Sequence, residues 1–547
     1  MMIARAEGQG SERRDRQAGT KSAFIIPTSS LIVLGLVLVA LVVRLCDLTG
    51  ESLWYDEAYS VWISDMDVGS LRVLWEWKVE FPLYYLLFHY WLRLFGQGEF
   101  AVRLFAALAG TATVIPVYLL GRELFDHKVG VFAALLLAVN PYHVWYSQEV
   151  RMHSLAVLLA VASLYCFWRL MSDPPLGRSN LVWWLGHILV TGLGFHLHYY
   201  IIWIVLVENV YCLLHLWRQH RDQGSGARGQ DPDPRSPSPV WRSLRLWILD
   251  QLAVLLLAIP AAIVFWERFY FARDWGWLLN NRAPGLGDVV GLFEAYTVGT
   301  AFPGPSALRK VILLVFLGLA GWGTLKVCWG IWKKKQPGGG LGLTILALVL
   351  PIMLVLLVGQ LVAIWVPRYM LLFLPAFLLL VALGVRALQA SFNPPQIQSK
   401  ERLKLVWRRP AFCAVALALC LAASLYSLTG MYGSQQKEDW RGVAAYISAQ
   451  ASQEDLIVLL DEECRVPFSY YYGSQGTRVE VSRFANEAAL DQAVAEIGRR
   501  QRGGSLWLVV SHADGAALEE RLEAVAGLQR AESPRFVGIE LVRYRWL

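Results

Sequence analysis

The sequence predicts a mainly α-helical, polytopic membrane bundle followed by a small α/β domain. Hydrophobic residues make up 56% of the 547 residues and charged residues only 17%, whereas an ordinary soluble domain carries about 25% charged residues. Twelve apolar segments follow one another between residues 31 and 430, and the composition becomes charged after residue 431. The same composition excludes disordered, collagen-like and coiled-coil chains.

The apolar segments set the number of membrane spans, because a spanning helix needs about 20 apolar residues. The candidate segments lie near residues 31–49, 83–96, 100–121, 129–146, 152–171, 182–197, 199–217, 246–266, 309–332, 341–364, 368–388 and 411–430. Segment 83–96 is the weakest, since it has only 14 residues and contains His89 and Arg93, and we expect it to be interfacial or re-entrant. The sequence therefore predicts about eleven spans; the alternative is a full span at 83–96 and a miscount elsewhere.

The distribution of Lys and Arg predicts the orientation, because cytoplasmic loops are enriched in both. Four basic regions are expected inside the cell: the tail 1–22, the linker 218–245, the loop 333–340 and the linker 386–409. An odd number of spans then places 51–99, 147–151, 196–200 and 267–308 outside, together with the C-terminal domain. The net charge of +7 fits such loops, and without a basic–aromatic surface motif we exclude nucleic-acid binding.

Three domains are predicted from this organisation: a cytoplasmic tail over 1–22, a transmembrane domain over 23–430, and an extracytoplasmic α/β domain over 431–547. In the last of these, strand-like runs at Leu456–Leu460 and Leu506–Val510 alternate with helical patterns at Asn486–Gln501 and Ala516–Leu528. The role of this domain cannot be inferred from its residues.

Carboxylates open the first outer loop, directly after the first span. Asp56 and Glu57 lie between aromatic residues, and Glu80 precedes the apolar segment that begins at Pro82. Carboxylates at a low-dielectric boundary are costly unless they are paired, hydrated or functional, and such a group can act as a general base or hold a divalent cation. A solvated acidic loop is the alternative for the pair, and the helix dipole alone would account for Glu80.

Two further outer connections carry polar side chains that would share the same membrane face. The hairpin at 147–151 contains Gln148, Glu149 and Arg151, and the turn at 196–200 contains His196 and His198. Two His at a spacing of two could lie on one face of an extended turn and reach a phosphate or a metal. The alternatives are an ordinary polar hairpin and packed or interfacial histidines.

The fourth outer element is Arg368, which with Tyr369 opens a span after Pro367. An Arg at that depth is expensive without an anionic partner, and a lipid phosphate would suit its forked donors. Snorkelling to the headgroups is the alternative. Together, the four elements predict a site for catalysis on a hydroxyl acceptor beside an anionic, membrane-embedded donor.

Several motifs resemble the GT-C superfamily of polytopic glycosyltransferases, over roughly residues 25–445. They are SLWYDEAY at Ser52–Tyr59, the Tyr pair within Pro82–Gly96, NPYHVWYSQEVRM at Asn140–Met152, the HLHYY turn at His196–Tyr200, the Pro-Arg-Tyr step and Glu438–Arg441. The most similar groups are the bacterial transferases related to protein O-mannosyltransferases and to aminoarabinose and galacturonic acid transferases. Two departures concern Phe81, where relatives often carry Pro, and His153, where Tyr is common.

The resemblance implies a sugar donor carried on a polyprenyl phosphate and a transfer on the extracytoplasmic face of the plasma membrane, with inversion at the anomeric carbon. It maps the base or metal-linked acid onto Asp56 and the acid before the Pro step onto Glu80. No cofactor is certain, and a divalent cation (Mg or Mn) held by these two acids is optional. The acceptor is expected to be a hydroxyl of a lipid, a glycan or a protein.

In this hypothesis Asp56 takes the proton of the acceptor, while Arg368, with Arg151 or His198, neutralises the donor phosphate. Glu57, Glu80 and Glu149 would orient the acceptor or hold the cation. Two alternatives from other classes stay open, which are a lipid or polysaccharide transporter and a catalytically silent glycolipid-binding protein.

Overall fold

The protein is described by a computed structural model of the full chain. The structure describes residues 28–66, 82–172, 178–226, 239–271, 282–333, 338–362, 364–391, 401–473, 476–482, 486–500 and 504–546. Two sequence predictions, the tail 1–22 and Glu80, lie outside these residues.

The transmembrane part consists of helices. They are α1 (Thr28–Leu45), α2 (Tyr55–Asp65), α3 (Pro82–Phe95), α4 (Glu99–Ala112), α5 (Val114–Leu124), α6 (His127–Ala138), α7 (Pro141–Ser147), α8 (His153–Ser172), α9 (Arg178–Phe195), α10 (Ile201–Gly226), α11 (Pro239–Phe271), α12 (Leu286–Val298), α13 (Ser306–Trp332), α14 (Gly339–Val358), a 3-10 helix (Pro367–Phe373), α15 (Leu374–Ser391) and α16 (Glu401–Gly433). The predicted helical bundle is therefore confirmed.

Within the described residues, eight helices are long and apolar enough to cross a membrane. The pair α6 and α7 would form a ninth span if its 58° bend lies within one crossing, and two shorter apolar helices cover Ser29–Leu45 and Asn180–Phe195. Each of these helices falls on one of the predicted segments, whereas α3 does not meet the criteria for a span. The total of eleven stays a prediction.

The bend between α6 and α7 has a local cause in the sequence. The Asn140 side chain accepts a hydrogen bond from the His143 backbone N–H at 3.0 Å, and Pro141 occupies the first helical position of α7, so the chain starts a new helix there. The short α7 thus ends at Ser147 and delivers Gln148–Arg151 to the same end of the bundle as α2.

The central helix α15 is buried along most of its length, and close helix crossings fix its place. A Cβ at Gly323 on α13 would lie 2.5 Å from the Gly384 backbone N on α15, and a Cβ at Gly384 would meet the Leu319 backbone O. Only glycine permits these backbones to approach so closely. Because α15 follows the 3-10 helix directly, this packing also fixes Arg368 and Tyr369.

The C-terminal domain is a six-stranded sheet with helices on both faces, which confirms the predicted α/β domain. Its elements are α17 (Trp440–Gln450), β1 (Leu456–Leu460), α18 (Glu462–Tyr472), β2 (Thr477–Val481), α19 (Glu487–Arg500), β3 (Ser505–Val510), α20 (Ala516–Glu523), β4 (Leu528–Glu532), β5 (Arg535–Phe536) and β6 (Ile539–Trp546). The strand order is β2-β1-β3-β6-β4, with β1 parallel to β2 and β3 and the rest antiparallel. The central strands β1 and β3 are fully buried, as strands covered on both faces should be.

This domain packs on the end of the bundle through α18 and the start of α17. Val466 of α18 joins an apolar cluster with Leu53, Ala58 and Val61, and the Leu53 backbone N–H donates to the Tyr471 hydroxyl at 2.6 Å. Arg441 of α17 binds Glu99 at 2.6 Å. The first outer loop and the C-terminal domain therefore form one continuous surface at this end.

Candidate active site

Asp56 and Arg368 lie together at the end of the bundle that carries the C-terminal domain. Arg368 Nη1 donates to Asp56 Oδ2 at 3.0 Å across 312 residues of sequence, and Arg151 Nε lies 3.9 Å from the same oxygen. The Asp56 side chain is 17% exposed and that of Arg368 31% exposed. One carboxylate and two guanidinium groups thus meet where Asp56 and Arg368 remain partly exposed and Arg151 is buried.

Glu57 occupies the opposite environment, although it is the next residue in α2. Its carboxylate is fully buried and accepts two hydrogen bonds from Arg103, at 3.0 and 2.8 Å, one from Lys437 at 3.0 Å and one from the Val150 N–H at 3.2 Å. Burial alone would raise the pKa of Glu57, but the charges and hydrogen bonds of Arg103 and Lys437 lower it to about 2. Glu57 is thus an ionised anchor whose side chain has no solvent-exposed surface.

Glu149 is the third carboxylate of the cluster and behaves differently again. It is buried, its Oε1 accepts a hydrogen bond from the Trp145 indole at 2.9 Å, and its Oε2 has no hydrogen-bond partner among the described residues. Burial raises the pKa of Glu149 to about 7, an effect that Lys437 opposes and Glu57 reinforces. This carboxyl group is therefore partly protonated near neutral pH.

Tyr369 and His198 form an aromatic wall beside the guanidinium groups. Their rings meet edge-to-face at 4.6 Å, and the His153 ring lies 5.8 Å from Tyr369. Burial, and then the charges of Arg151 and Arg368, lower the pKa of His198 to about 3. Since His198 Nδ1 accepts the Tyr200 N–H at 3.1 Å, the neutral ring carries its proton on Nε2. His198 can donate a hydrogen bond, but it cannot supply the positive charge that the sequence-based hypothesis gave it.

Two predicted binding residues do not join the cluster. The Nε2 of His196 lies 2.8 Å from the Leu257 backbone O on α11. The turn at 194–198 keeps helical hydrogen bonds, and residues two apart on a helix do not face each other, so the two His diverge. Gln148 donates to the backbone oxygens of Arg44 and Cys46, at 2.9 and 2.7 Å, and thereby caps the end of α1.

The described residues do not assemble a site for a divalent cation. No group of three or more His, Cys, Asp or Glu among them could hold a metal, and the oxygens of Asp56 and Glu57 already face Arg and Lys side chains. Glu80, the second predicted ligand, is not among the described residues. The optional cation at Asp56 and Glu80 therefore stays a prediction.

Sequence reasoning missed two cations of the cluster, Arg103 and Lys437. Arg103 lies inside an apolar segment that forms α4, and an Arg within a span is a functional signal by default. Lys437 follows the last span and precedes Glu438–Arg441, a motif that the sequence analysis did single out. Lys437 pairs with Glu57, which lies 380 residues earlier in the sequence. No local sequence pattern predicts a contact over such a separation.

The cluster carries more positive than negative charge. Its cations are Arg103, Arg151, Arg368 and Lys437, and its carboxylates are Asp56, Glu57 and Glu149. Because Glu149 is partly protonated, the surplus exceeds one unit of charge near neutral pH. Such a site at the end of a membrane bundle favours a lipid-borne anion.

Comparisons with known proteins place the fold. Residues 80–223 match the family described as dolichyl-phosphate-mannose-protein mannosyltransferase. Apo ArnT from Cupriavidus metallidurans is 14% identical with a TM-score of 0.53, covering 94% of this chain and 98% of ArnT. The same ArnT bound to undecaprenyl phosphate gives 16% identity, a TM-score of 0.53 and the same coverage.

A second relative is an oligosaccharyltransferase from Archaeoglobus fulgidus, solved with a tethered acceptor peptide. It is 13% identical with a TM-score of 0.53, and the match covers 88% of this chain and 69% of that protein. No curated protein sequence matches the chain. The resemblance that the motifs predicted is confirmed: residues 80–223 match a mannosyltransferase family, and the chain has the fold of ArnT.

Proposed function

We propose that this protein transfers a sugar from a polyprenyl-phosphate donor to a hydroxyl group of a lipid, glycan or protein, on the extracytoplasmic face of the plasma membrane. The observation that carries the proposal is the Asp56–Arg368 ion pair, flanked by Arg151 within a cluster of surplus positive charge. One carboxylate and a pair of guanidinium groups are what hydroxyl activation and a phosphate leaving group require.

The donor phosphate binds Arg368 and Arg151, and its prenyl chain lies along the bundle. In the free protein Asp56 neutralises Arg368, so an incoming phosphate competes for that guanidinium and releases the carboxylate. Negative charge grows on the phosphate oxygen as the sugar departs, and preorganised cations stabilise that charge more in the transition state than in the ground state. ArnT from Cupriavidus metallidurans, which shares the fold, has been solved with undecaprenyl phosphate bound.

Asp56, once free of Arg368, accepts the proton of the acceptor hydroxyl. The oxygen forms a bond to the anomeric carbon while the bond from that carbon to the phosphate oxygen breaks, and polyprenyl phosphate leaves with the electron pair. Attack from the side opposite the phosphate inverts the anomeric configuration. General-base assistance of this kind contributes about 10²–10⁴-fold to a rate.

The neighbouring carboxylates have positioning roles in this proposal. Glu57 fixes the start of α2, and with it the direction of Asp56, through its bonds to Arg103 and the Val150 N–H. Glu149, whose Oε2 has no hydrogen-bond partner among the residues that the structure describes, orients the acceptor hydroxyl. Tyr369 and His198 pack beside the donor phosphate, and His198 donates one hydrogen bond to it from Nε2.

The experiment that tests the function is a transfer assay with purified protein in lipid nanodiscs. A panel of radiolabelled polyprenyl-phosphate sugars is supplied with envelope lipids, glycans and proteins as acceptors. The proposal expects labelled acceptor and free polyprenyl phosphate in equal amounts. Donor binding without release of polyprenyl phosphate would support the catalytically silent alternative. Movement of intact donor across the bilayer of sealed vesicles that contain the protein would support a transporter.

A further inference from the structure

We propose that Lys437 is a positioning residue of the transfer site and that the C-terminal domain acts as the clamp that holds it there. The inference rests on the proposed function. It gives the C-terminal domain, whose role the sequence did not reveal, a defined task in the reaction.

Lys437 bridges two of the three carboxylates of the site. Its Nζ lies 3.0 Å from Glu57 Oε2 and 5.5 Å from the centre of the Trp145 ring. The same indole donates to Glu149 at 2.9 Å. Lys437 therefore contacts the Glu57 anchor directly and supports Glu149 through Trp145, with a side chain that is only 8% exposed.

The segment that carries Lys437 is fastened to the loop just before Asp56. Glu51 accepts backbone N–H groups from Gln436 and Lys437. The Ser52 hydroxyl donates to the Glu438 backbone O and accepts the Trp440 N–H at 3.1 Å. Any shift of this segment is thus passed to the first turn of α2, on which Asp56 lies.

The C-terminal domain contacts Glu438, the residue after Lys437. The contact lies at the edge of the sheet where open α/β folds bind their ligands. In open parallel α/β sheets, ligands bind beyond the carboxyl ends of the strands where the strand order reverses, and here that point lies between β1 and β3. His512, two residues after β3 and with φ of 55°, places its Nε2 2.6 Å from Glu438 Oε1.

Glu438 also fits closely against the turn before β6. A Cβ at Gly538 would lie 2.8 Å from Glu438 Cγ, and φ of 67° at Gly538 itself favours glycine. Glu438 thus occupies the position at the sheet edge where a ligand would bind in an isolated domain. Lys437, beside it, extends to Glu57 in the transfer site.

The charge of Lys437 sets the state of the carboxylates around it. It lowers the pKa of Glu149 against the effect of burial, acting alongside Arg368 and against Glu57 and Asp56. Loss of this charge leaves Glu57 with Arg103 and allows Glu149 to hold its proton to higher pH. A purely structural lysine would not move a titration in this way.

The test compares Lys437→Gln with Lys437→Arg in the nanodisc transfer assay, using the donor that the wild type accepts. Glutamine keeps a hydrogen-bond donor for Glu57 but loses the charge. We expect kcat to fall about 30-fold with KM for the donor within about twofold, since small misplacements of reacting groups cost up to about 10²-fold. The Glu149 limb of the pH profile should move to higher pH, and Lys437→Arg should recover most of the rate.

The matched control is Lys310→Met, which removes an exposed lysine of α13 and should leave kcat and the pH profile unchanged. A second variant, His512→Ala, keeps the charge of Lys437 and loosens its segment; we expect a fall in kcat of several-fold with an unshifted profile. If Lys437→Gln does not fold, this variant and Lys437→Arg carry the test.

Wild-type kcat and an unmoved pH profile in Lys437→Gln, or wild-type kcat in His512→Ala, would overturn the inference while the proposed function stands. The proposed function fails separately, if the wild type transfers no sugar from any polyprenyl-phosphate donor or if Asp56→Asn transfers at the wild-type rate.

Discussion

Among the described residues of the bundle, the site cluster and a central cluster of ionisable side chains differ in solvent access and in the sign of their net charge. The site cluster around Asp56 and Arg368 is partly exposed and has surplus cations. The second cluster lies in the middle of the bundle, where His187 of α9 is 3.2 Å from Glu208 of α10 and 2.8 Å from Asp250 of α11.

The central cluster is sealed and has surplus carboxylates. The side chains of His187, Glu208 and Asp250 are inaccessible to solvent, and Ser163 donates to Glu208 at 2.7 Å. His187 Nε2 and Glu208 share a hydrogen bond and Nδ1 lies beside Asp250, so the ring ties α9 to α10 and α11. Sequence analysis did not single out these residues.

This comparison shows that a cluster of charged side chains inside a membrane bundle does not by itself form a binding site. Intramembrane ionisable groups are rare and are functional candidates by default. In the central cluster, however, the charged side chains pair with one another and have no solvent access. At the site cluster Asp56 and Arg368 keep 17% and 31% of their side chains exposed, although each cluster has a carboxylate oxygen without a hydrogen-bond partner among the described residues, Glu149 Oε2 and Asp250 Oδ1. We therefore expect opposite phenotypes from substitutions in the two clusters.

The largest effect is expected for Asp56→Asn. Loss of the base should lower kcat by about 10³-fold or more, while affinity for undecaprenyl phosphate should stay the same or rise, since Arg368 loses its competing anion. Turnover in nanodiscs and binding by calorimetry measure the two quantities.

Asp126→Asn is the matched control for Asp56→Asn. Asp126 pairs with Arg386 at 2.8 Å at the other end of the bundle, and Asn preserves its helix cap. This control should keep wild-type turnover and phosphate affinity. Asp56→Asn with turnover near that of the control would remove Asp56 from catalysis.

The next effect concerns stability, at His187→Leu in the central cluster. Removing one partner of a buried ion pair costs about 3–5 kcal/mol, so thermal unfolding should begin at a clearly lower temperature. Turnover per folded molecule should be unchanged. His215→Leu, which alters a half-buried histidine of α10, should change neither quantity much, and a selective loss of kcat in His187→Leu would make the central cluster part of the site.

The smallest effect is a pH dependence of stability from Glu149. Because its folded pKa of about 7 exceeds its ordinary value of 4.5, the protonated form stabilises the fold; this stability is complete below pH 4.5 and is lost as pH rises through 7. Between these values the wild type should lose up to about 3 kcal/mol more than Glu149→Gln.

Glu57 has the opposite sign and acts in a different window. Its pKa of about 2 adds stability above pH 4.5 that is lost as pH falls toward 2. Buried His198, whose pKa is lowered from 6.5 to about 3, also contributes between pH 4.5 and 6.5, so Glu149 is isolated by the difference between the wild type and Glu149→Gln. Identical pH slopes for the two proteins would contradict its assigned environment.

Much of the fold could be predicted from the sequence, because span length and strand burial leave local signals. The run Leu456–Leu460 is strand β1 as predicted. The helix predicted over Ala516–Leu528 ends at Glu523, because the chain must turn at Gly527, with φ of 85°, to begin β4. Such a turn is set by sheet pairing and not by helical periodicity.

The site could be predicted only in part. Charge counting placed Asp56 and Arg368 on one face, and the structure brings them together. It could not separate Asp56 from Glu57, since their opposite environments depend on Arg103 and Lys437, or direct His196 and His198 to different sides, since that required the backbone of the turn.

The most direct test of phosphate binding by Arg368 compares two variants, Arg368→Ala and Arg386→Ala. The quantity measured is the affinity of each variant for undecaprenyl phosphate. Both arginines pair with an aspartate and are 31% exposed, at opposite ends of the bundle. The account predicts that Arg368→Ala weakens binding at least tenfold, about 1.4 kcal/mol, and that Arg386→Ala binds as the wild type does. Equal affinities for the two variants would contradict it.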